Sequence, residues 1–250
     1  LISFDEACRC VSALAAPVGV EQVPLELAWN RVLAAPVIAG VSAPETAVSA
    51  MDGYAVREVD LSQGTTRFRV VGESFAGSSS GGSALEPGAC VRIFTGAPMP
   101  SGADRVVMQE NVSRDGETML LAERPTKARH VRGAASDFAL GEVLLDVGTL
   151  LTPLALVSAA AADTDTLQLH IRPRVAVLST GDELVAPGRA GGCPGAIPDS
   201  VSFGIAALAQ TWGGEVVCRR RLRDDLPSLA QAAALALEQA HVIVVTGGAS

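Results

Sequence analysis

Lysine is nearly missing from these 250 residues: Lys127 is the single one among 19 basic groups, and the bases are outnumbered by 27 acids. The resulting net charge of -8 gives the chain a field that repels nucleic acid and anionic lipid, so neither is an expected partner. Also missing is any apolar run of the roughly 20 residues that a membrane helix needs. The first residues carry Asp5, Glu6 and Arg9 instead of a basic stretch followed by an apolar one, which predicts a soluble, cytoplasmic chain. The cysteines Cys8, Cys10, Cys90, Cys193 and Cys218 are odd in number and show no CxxC or Cys/His ligand spacing; they are expected as reduced thiols. His130, His170 and His241 share no spacing either and are expected to be structural or exposed.

What is present is a succession of distinct patterns. Ser3 with Glu6 three residues on makes a capping box, and Phe4, Cys8, Val11 and Ala15 follow at helical spacing, predicting an opening amphipathic helix. Pro24 with Leu25, Ala28, Trp29 and Val32 predicts a second helix, ended by Pro36. From 41 to 146 the period changes to two, with short strand-like runs at 68–70, 91–93 and 106–108 between Gly, Ser and Pro clusters. Thr152 before Pro153 is an N-cap for a helix over 154–162. Beyond Pro173, runs at 175–178, 216–218 and 242–245 read as buried strands, with helices at 203–212 and from Asp225 and Pro227 through Gln239. The expected fold class is multidomain α/β. It comprises a helical N-terminal/linker domain (1–40 and 147–172), a small β-rich domain (41–146) and an incomplete, doubly wound parallel-sheet domain (173–250).

Such sheets bind ligands at the carboxyl ends of their strands. There stand Ser179-Thr180-Gly181-Asp182-Glu183-Leu184 after the first strand and Thr246-Gly247-Gly248-Ala249-Ser250 after the third. Glycines let backbone N–H groups approach an oxyanion, hydroxyls add donors, and carboxylates hold a divalent metal or orient water. A lone Gly-Gly more often merely turns the chain, but two such loops on neighbouring strand ends favour an anion cradle, inside which the chain is expected to stop. In the β-rich region Asp52-Gly53 and Thr95-Gly96, each taken alone, read as a tight turn and a strand end. Arg219 to Arg223, followed by Asp224-Asp225, reads as a solvated face at a strand end.

Together these segments resemble a known family. Ser-Ala-Met-Asp-Gly-Tyr-Ala-Val at 49–56, Phe-Thr-Gly-Ala-Pro-Met-Pro-Ser-Gly-Ala-Asp at 94–104, Val-Val-Met-Gln-Glu at 106–110, Ser-Thr-Gly-Asp-Glu-Leu at 179–184 and the terminal Thr-Gly-Gly-Ala-Ser are similar, in order, to the MoeA-type molybdopterin molybdenumtransferases, which include the E domain of gephyrin. The resemblance implies the last step of molybdenum cofactor assembly, in which molybdate enters adenylylated molybdopterin and AMP is released with help from a divalent cation, usually Mg2+. It implies a homodimer, and contacts with the molybdopterin adenylyltransferase and molybdoenzyme apoproteins. Matched residue by residue, it makes Asp52, Thr95, Asp137, Glu183 and Asp199 the catalytic group. Thr180, Gly181, Asp182, Ser200, Thr246, Gly247, Gly248 and Ser250 become ligand-binding, and Glu183 and Asp199 the metal ligands.

Two departures qualify that expectation. Relatives usually read Asp-Ser-Asn where this chain has Asp199-Ser200-Val201, and a lost hydrogen bond to a charged ligand is worth about 1.5–3 kcal/mol. A non-catalytic molybdopterin-binding or scaffold paralogue is therefore the alternative, and a generic nucleotide-binding α/β domain a third reading. The family's further α/β structure and C-terminal β domain are also absent from these residues, so the segment alone is expected to catalyse nothing.

Overall fold

A computed structural model describes residues 2–78, 83–123 and 127–247. The chain forms two compact units, one of 1–36, 146–157 and 165–250 and the other of 37–145 and 158–164. The opening helix, Phe4–Leu14, is capped as its sequence predicts, the Ser3 hydroxyl accepting from the Glu6 N–H at 3.2 Å. None of its residues is buried.

The second predicted helix does not form. Val20–Pro24 is a strand, paired antiparallel with Thr166–His170, and only a 3-10 turn, Leu25–Leu27, follows it. The backbone groups that a helix would have used are committed elsewhere. Leu25 donates to Asp165 at 2.8 Å, Leu33 to Thr149 at 3.0 Å and Ala34 to Gln168 at 2.9 Å. Leu33 and Leu169 are fully buried, so tertiary pairing outweighs an apolar spacing that a helix would also satisfy. The predicted helical character of 1–40 is thereby corrected to one helix followed by extended chain. At Thr152 the N-cap reading holds: its Oγ1 accepts from the Ala155 N–H at 3.3 Å, ahead of the helix Pro153–Ala161.

In the other unit six strands form one mixed sheet, in the order Arg105–Met108, Gly53–Val56, Ala89–Ile93, Arg67–Ser74, Thr118–Leu121, Val112–Asp115. All neighbours are antiparallel except Ala89–Ile93 against Arg67–Ser74. Alternation splits the side chains into two apolar clusters, Tyr54, Val56, Phe68, Cys90, Val107 and Met119 in one and Ala55, Ile93, Ala97, Met99 and Val106 in the other. Burial pushes the Cys90 thiol up to about 12, so it acts as a small apolar filler. All five cysteines are free.

The three strands near the C-terminal end are parallel, with Arg174–Thr180 between Glu215–Leu222 and Val242–Thr246. The central strand is almost entirely buried, which is why its sequence is a continuous apolar run. Ala176 and Ile243 pack with Ala236 and Ala240, from the helix Leu226–Leu237 and the turn after it. Val175, Val242 and Val244 line an apolar groove with Ile205, Leu208 and Ala209 of the helix Val201–Thr211. Neighbouring strand residues point to opposite faces, so the two helices cover opposite faces of the sheet. Among the described residues no helix is long and apolar enough to cross a membrane.

Candidate functional site

At the carboxyl end of the parallel sheet the chain concentrates hydroxyl groups. Ser179 and Thr180 end the central strand, both buried, and Thr246 ends the neighbouring strand in register with Ser179. The Thr246 hydroxyl donates to Ser179 Oγ at 3.2 Å, and Ser179 Oγ reaches Asp199 Oδ1 at 3.5 Å. Thr180 Oγ1 lies 3.4 Å from the Thr246 carbonyl. The buried Asp199 carboxylate gathers two more donors from Ser202, the hydroxyl to Oδ2 at 2.7 Å and the N–H to Oδ1 at 3.4 Å. It thus caps the helix Val201–Thr211 from just outside its first residue. Burial with several donors satisfies most of its lone pairs.

Gly247 follows at φ +114°, a conformation L side chains rarely adopt. A Cβ placed there would overlap the Thr180 carbonyl and hydroxyl oxygens well inside van der Waals contact. The two strand-end loops therefore touch backbone to backbone, and only glycine permits it. Gly248, Ala249 and Ser250 lie outside the described residues.

The predicted acids are placed unequally. Asp182, Glu183 and Ser200 are exposed, whereas Asp199 is buried. The stretches Leu184–Val185 and Ile197–Pro198 pair in parallel, which puts Glu183 at the start of the pair and Asp199 at its far end: Ile197 donates to the Glu183 carbonyl at 2.8 Å and Asp199 to the Val185 carbonyl at 2.9 Å. Among the described residues no cluster of three His, Cys, Asp or Glu side chains is arranged to hold a metal.

In the other unit Asp52 and Thr95 meet as a pair. Asp52 Oδ1 accepts from the Thr95 N–H and from its hydroxyl, both at 2.8 Å, and these two bonds, the backbone one first, hold its carboxyl below the ordinary 3.8. Arg92 braces the same corner, donating to the Gly53 carbonyl at 3.0 Å and to Gln109 Oε1 at 2.6 Å. Its guanidinium lies over the rings of Tyr54 and Phe94. Asp137 is not joined to this pair by any hydrogen bond among the described residues; it chelates Arg132 through both oxygens, at 2.6 and 2.5 Å.

Sequence names Ser179 only within its strand-end motif, and does not mark Ser202, Arg92 or Arg132 as site residues. Of these, Ser202 carried a readable signal, since it stands three residues after Asp199, the spacing of a side chain that caps a helix start.

Residues 2–162, well over half of the chain, match the family model described as MoeA N-terminal region (domain I and II). The chain belongs to the MoeA family. Residues 176–250 of this MoeA chain match a second model, described as a probable molybdopterin binding domain. A protein from Nostoc sp. named molybdopterin molybdenumtransferase is 36% identical over 234 residues, covering 92% of this chain and 53% of its own length. Its namesake in Haemophilus influenzae is 35% identical over 256 residues, covering 100% of this chain and 62% of its own. The chain thus spans between about half and three-fifths of the length of these two relatives. The crystal structure of the molybdopterin biosynthesis moeA protein from Pyrococcus horikoshii OT3 superposes with a TM-score of 0.90 at 27% identity, covering 99% of this chain and 66% of that one.

Proposed function

We propose that this chain carries the substrate-binding part of a molybdopterin molybdenumtransferase, which inserts molybdate into adenylylated molybdopterin and releases AMP at the end of molybdenum cofactor biosynthesis. The observation that carries the proposal is the junction of the two strand-end loops, where Thr180, Thr246 and Gly247 converge beside Ser179 and Asp199. Three neighbouring hydroxyls beside a glycine turn, once rotated from one another towards a ligand, suit a tetrahedral oxyanion or a phosphate, and both species occur in this reaction.

The finer assignments are part of the same proposal. Residues 173–250 form the doubly wound molybdopterin-binding domain, 41–146 a β-rich domain, and 1–40 with 147–172 the linker. Thr180, Gly181, Thr246, Gly247 and Ser200, with Gly248 and Ser250 beyond the described residues, hold the pterin phosphate or molybdate. Asp52, kept ionised by Thr95, orients a proton or a donor group of the substrate, and Asp137 holds Arg132 in place for the substrate's charge. The protein works in the cytoplasm as a homodimer, which meets the adenylyltransferase and the apoenzymes that accept the product.

The donor set fits a magnesium ion that shares its ligands with substrate phosphates, because such an ion needs only one or two protein carboxylates. Glu183 and Asp182 are exposed and would hold it, while the buried Asp199 is occupied by Ser179 and Ser202. When bound, the ion would neutralise phosphoanhydride charge; the chain's own residues bind, orient and exclude water.

A second reading, a molybdopterin-binding scaffold without turnover, is favoured by Val201, which begins its helix with a 59% exposed apolar side chain. The test is reconstitution. The whole protein, with molybdate, magnesium and adenylylated molybdopterin, is expected to activate a cofactor-free molybdoenzyme. Tight binding without activation, repaired by Val201→Asn, would instead establish the scaffold reading.

A further inference from the structure

Three consecutive arginines, Arg219, Arg220 and Arg221, lie within the last four residues of the strand Glu215–Leu222. That strand is one edge of the parallel sheet. Adjacent like charges repel, and a chain of net charge -8 has no shortage of acids to relieve them. Yet none of the three arginines forms an ion pair among the described residues.

Arg219 and Arg221 are two residues apart and share a face of the sheet. The Arg219 guanidinium sits over the Phe203 ring, its central carbon 3.3 Å from the ring centroid. A contact with the ring face consumes none of the guanidinium N–H donors, which stay available to a ligand. Arg221 spends one donor on the Leu184 carbonyl, at a long 3.5 Å. All three arginines line a pocket of about 330 Å3 whose walls are Ala186, Pro187 and the 47% exposed Phe203. Among the described residues the only acid in that lining is Asp199, whose two oxygens are already engaged by Ser179 and Ser202.

We infer that this pocket is a second anion site, beside the hydroxyl cluster at the sheet end, and that it takes a phosphate dianion or a phosphate monoester. Arg219 and Arg221 grip the phosphate oxygens through charge-assisted hydrogen bonds. Phe203, Ala186 and Pro187 offer a flat apolar wall for the organic part of an ester. The inference does not depend on the proposed transferase reaction, because its readout is anion binding alone.

The probes are inorganic phosphate and AMP, titrated into the whole protein by calorimetry at low and at moderate salt. One equivalent that depends on these arginines is expected to bind, more weakly as salt rises. The double variant Arg219→Gln/Arg221→Gln is expected to lose affinity by tenfold or more, on the order of one lost charge-assisted bond. Should that variant not fold, Arg221→Gln alone is expected to lose about threefold or more. Arg114→Gln, the same charge change on the other unit's sheet, is expected to leave binding unaltered. Equal affinities for the two probes would assign the site to the phosphate group alone. Tighter AMP, weakened by Phe203→Leu, would add the wall to it; either result supports an anion site. The inference is overturned if neither probe binds, if the arginine variants keep wild-type affinity, or if Arg114→Gln weakens binding equally.

Discussion

Replacing Gly247 by alanine tests whether the contact between the two strand-end loops is what builds the oxyanion cradle. The residue sits at φ +114°, and an alanine held there carries backbone strain of about 1–3 kcal/mol. The added methyl would also overlap the Thr180 carbonyl and hydroxyl oxygens, whereas an ordinary contact is 3.4–4 Å. The Thr246-Gly247 loop must then retreat by on the order of 1 Å, a displacement that costs about a hundredfold in rate at a reacting centre. The expected result is a midpoint of thermal unfolding lowered by about 2–8 °C and a rate of AMP release reduced by about a hundredfold. Gly188→Ala is the control, since Gly188 has a similar positive φ of +82° but nothing within 4 Å of the added carbon. It should lower stability slightly and leave the rate alone. If Gly247→Ala matched the wild type in both rate and melting, or behaved like Gly188→Ala, the loop junction would not be the cradle.

Three further outcomes follow from named contacts. Asp52 is held below the ordinary 3.8 by Thr95, so the stability it contributes is complete above the unfolded carboxylate value and is lost as pH falls through the lower folded one; NMR titration should find it there, and Thr95→Val should bring it part-way back up, since the backbone bond remains. A wild-type Asp52 titrating at or above 3.8 would contradict this. Ser202→Ala removes the 2.7 Å donor from a buried carboxylate, and denaturant unfolding should show a loss of about 1–3 kcal/mol. Gly53→Ala would press a methyl into the Val107 carbonyl of the edge strand Arg105–Met108, so melting should reveal about 1–3 kcal/mol of destabilisation, and an unchanged midpoint would show that the sheet yields there.

The parallel strands were legible because burial on both faces leaves a continuous apolar run, as at Val175 to Leu178, and the strand-end loops follow directly from placing such runs. The segment from Leu25 to Val32 was misread because its apolar spacing fits a helix as well as an extended chain. What decides it are partners more than a hundred residues later, such as Asp165, Thr149 and Gln168. The same non-locality hid the burial of Asp199 and the commitment of Asp137 to Arg132, since sequence names an acid but not what surrounds it. Sequence puts Arg219 to Arg221 at a strand end, and they lie within the last four residues of the strand Glu215–Leu222; charged residues are depleted in sheets, but an open edge tolerates them.

The most direct measurement is molybdate-dependent release of AMP from adenylylated molybdopterin by the whole protein in the presence of magnesium. The account predicts one AMP released for each molybdate consumed, with release abolished when molybdate is omitted. AMP release indifferent to molybdate, or none at all from a protein that binds the substrate, would contradict it.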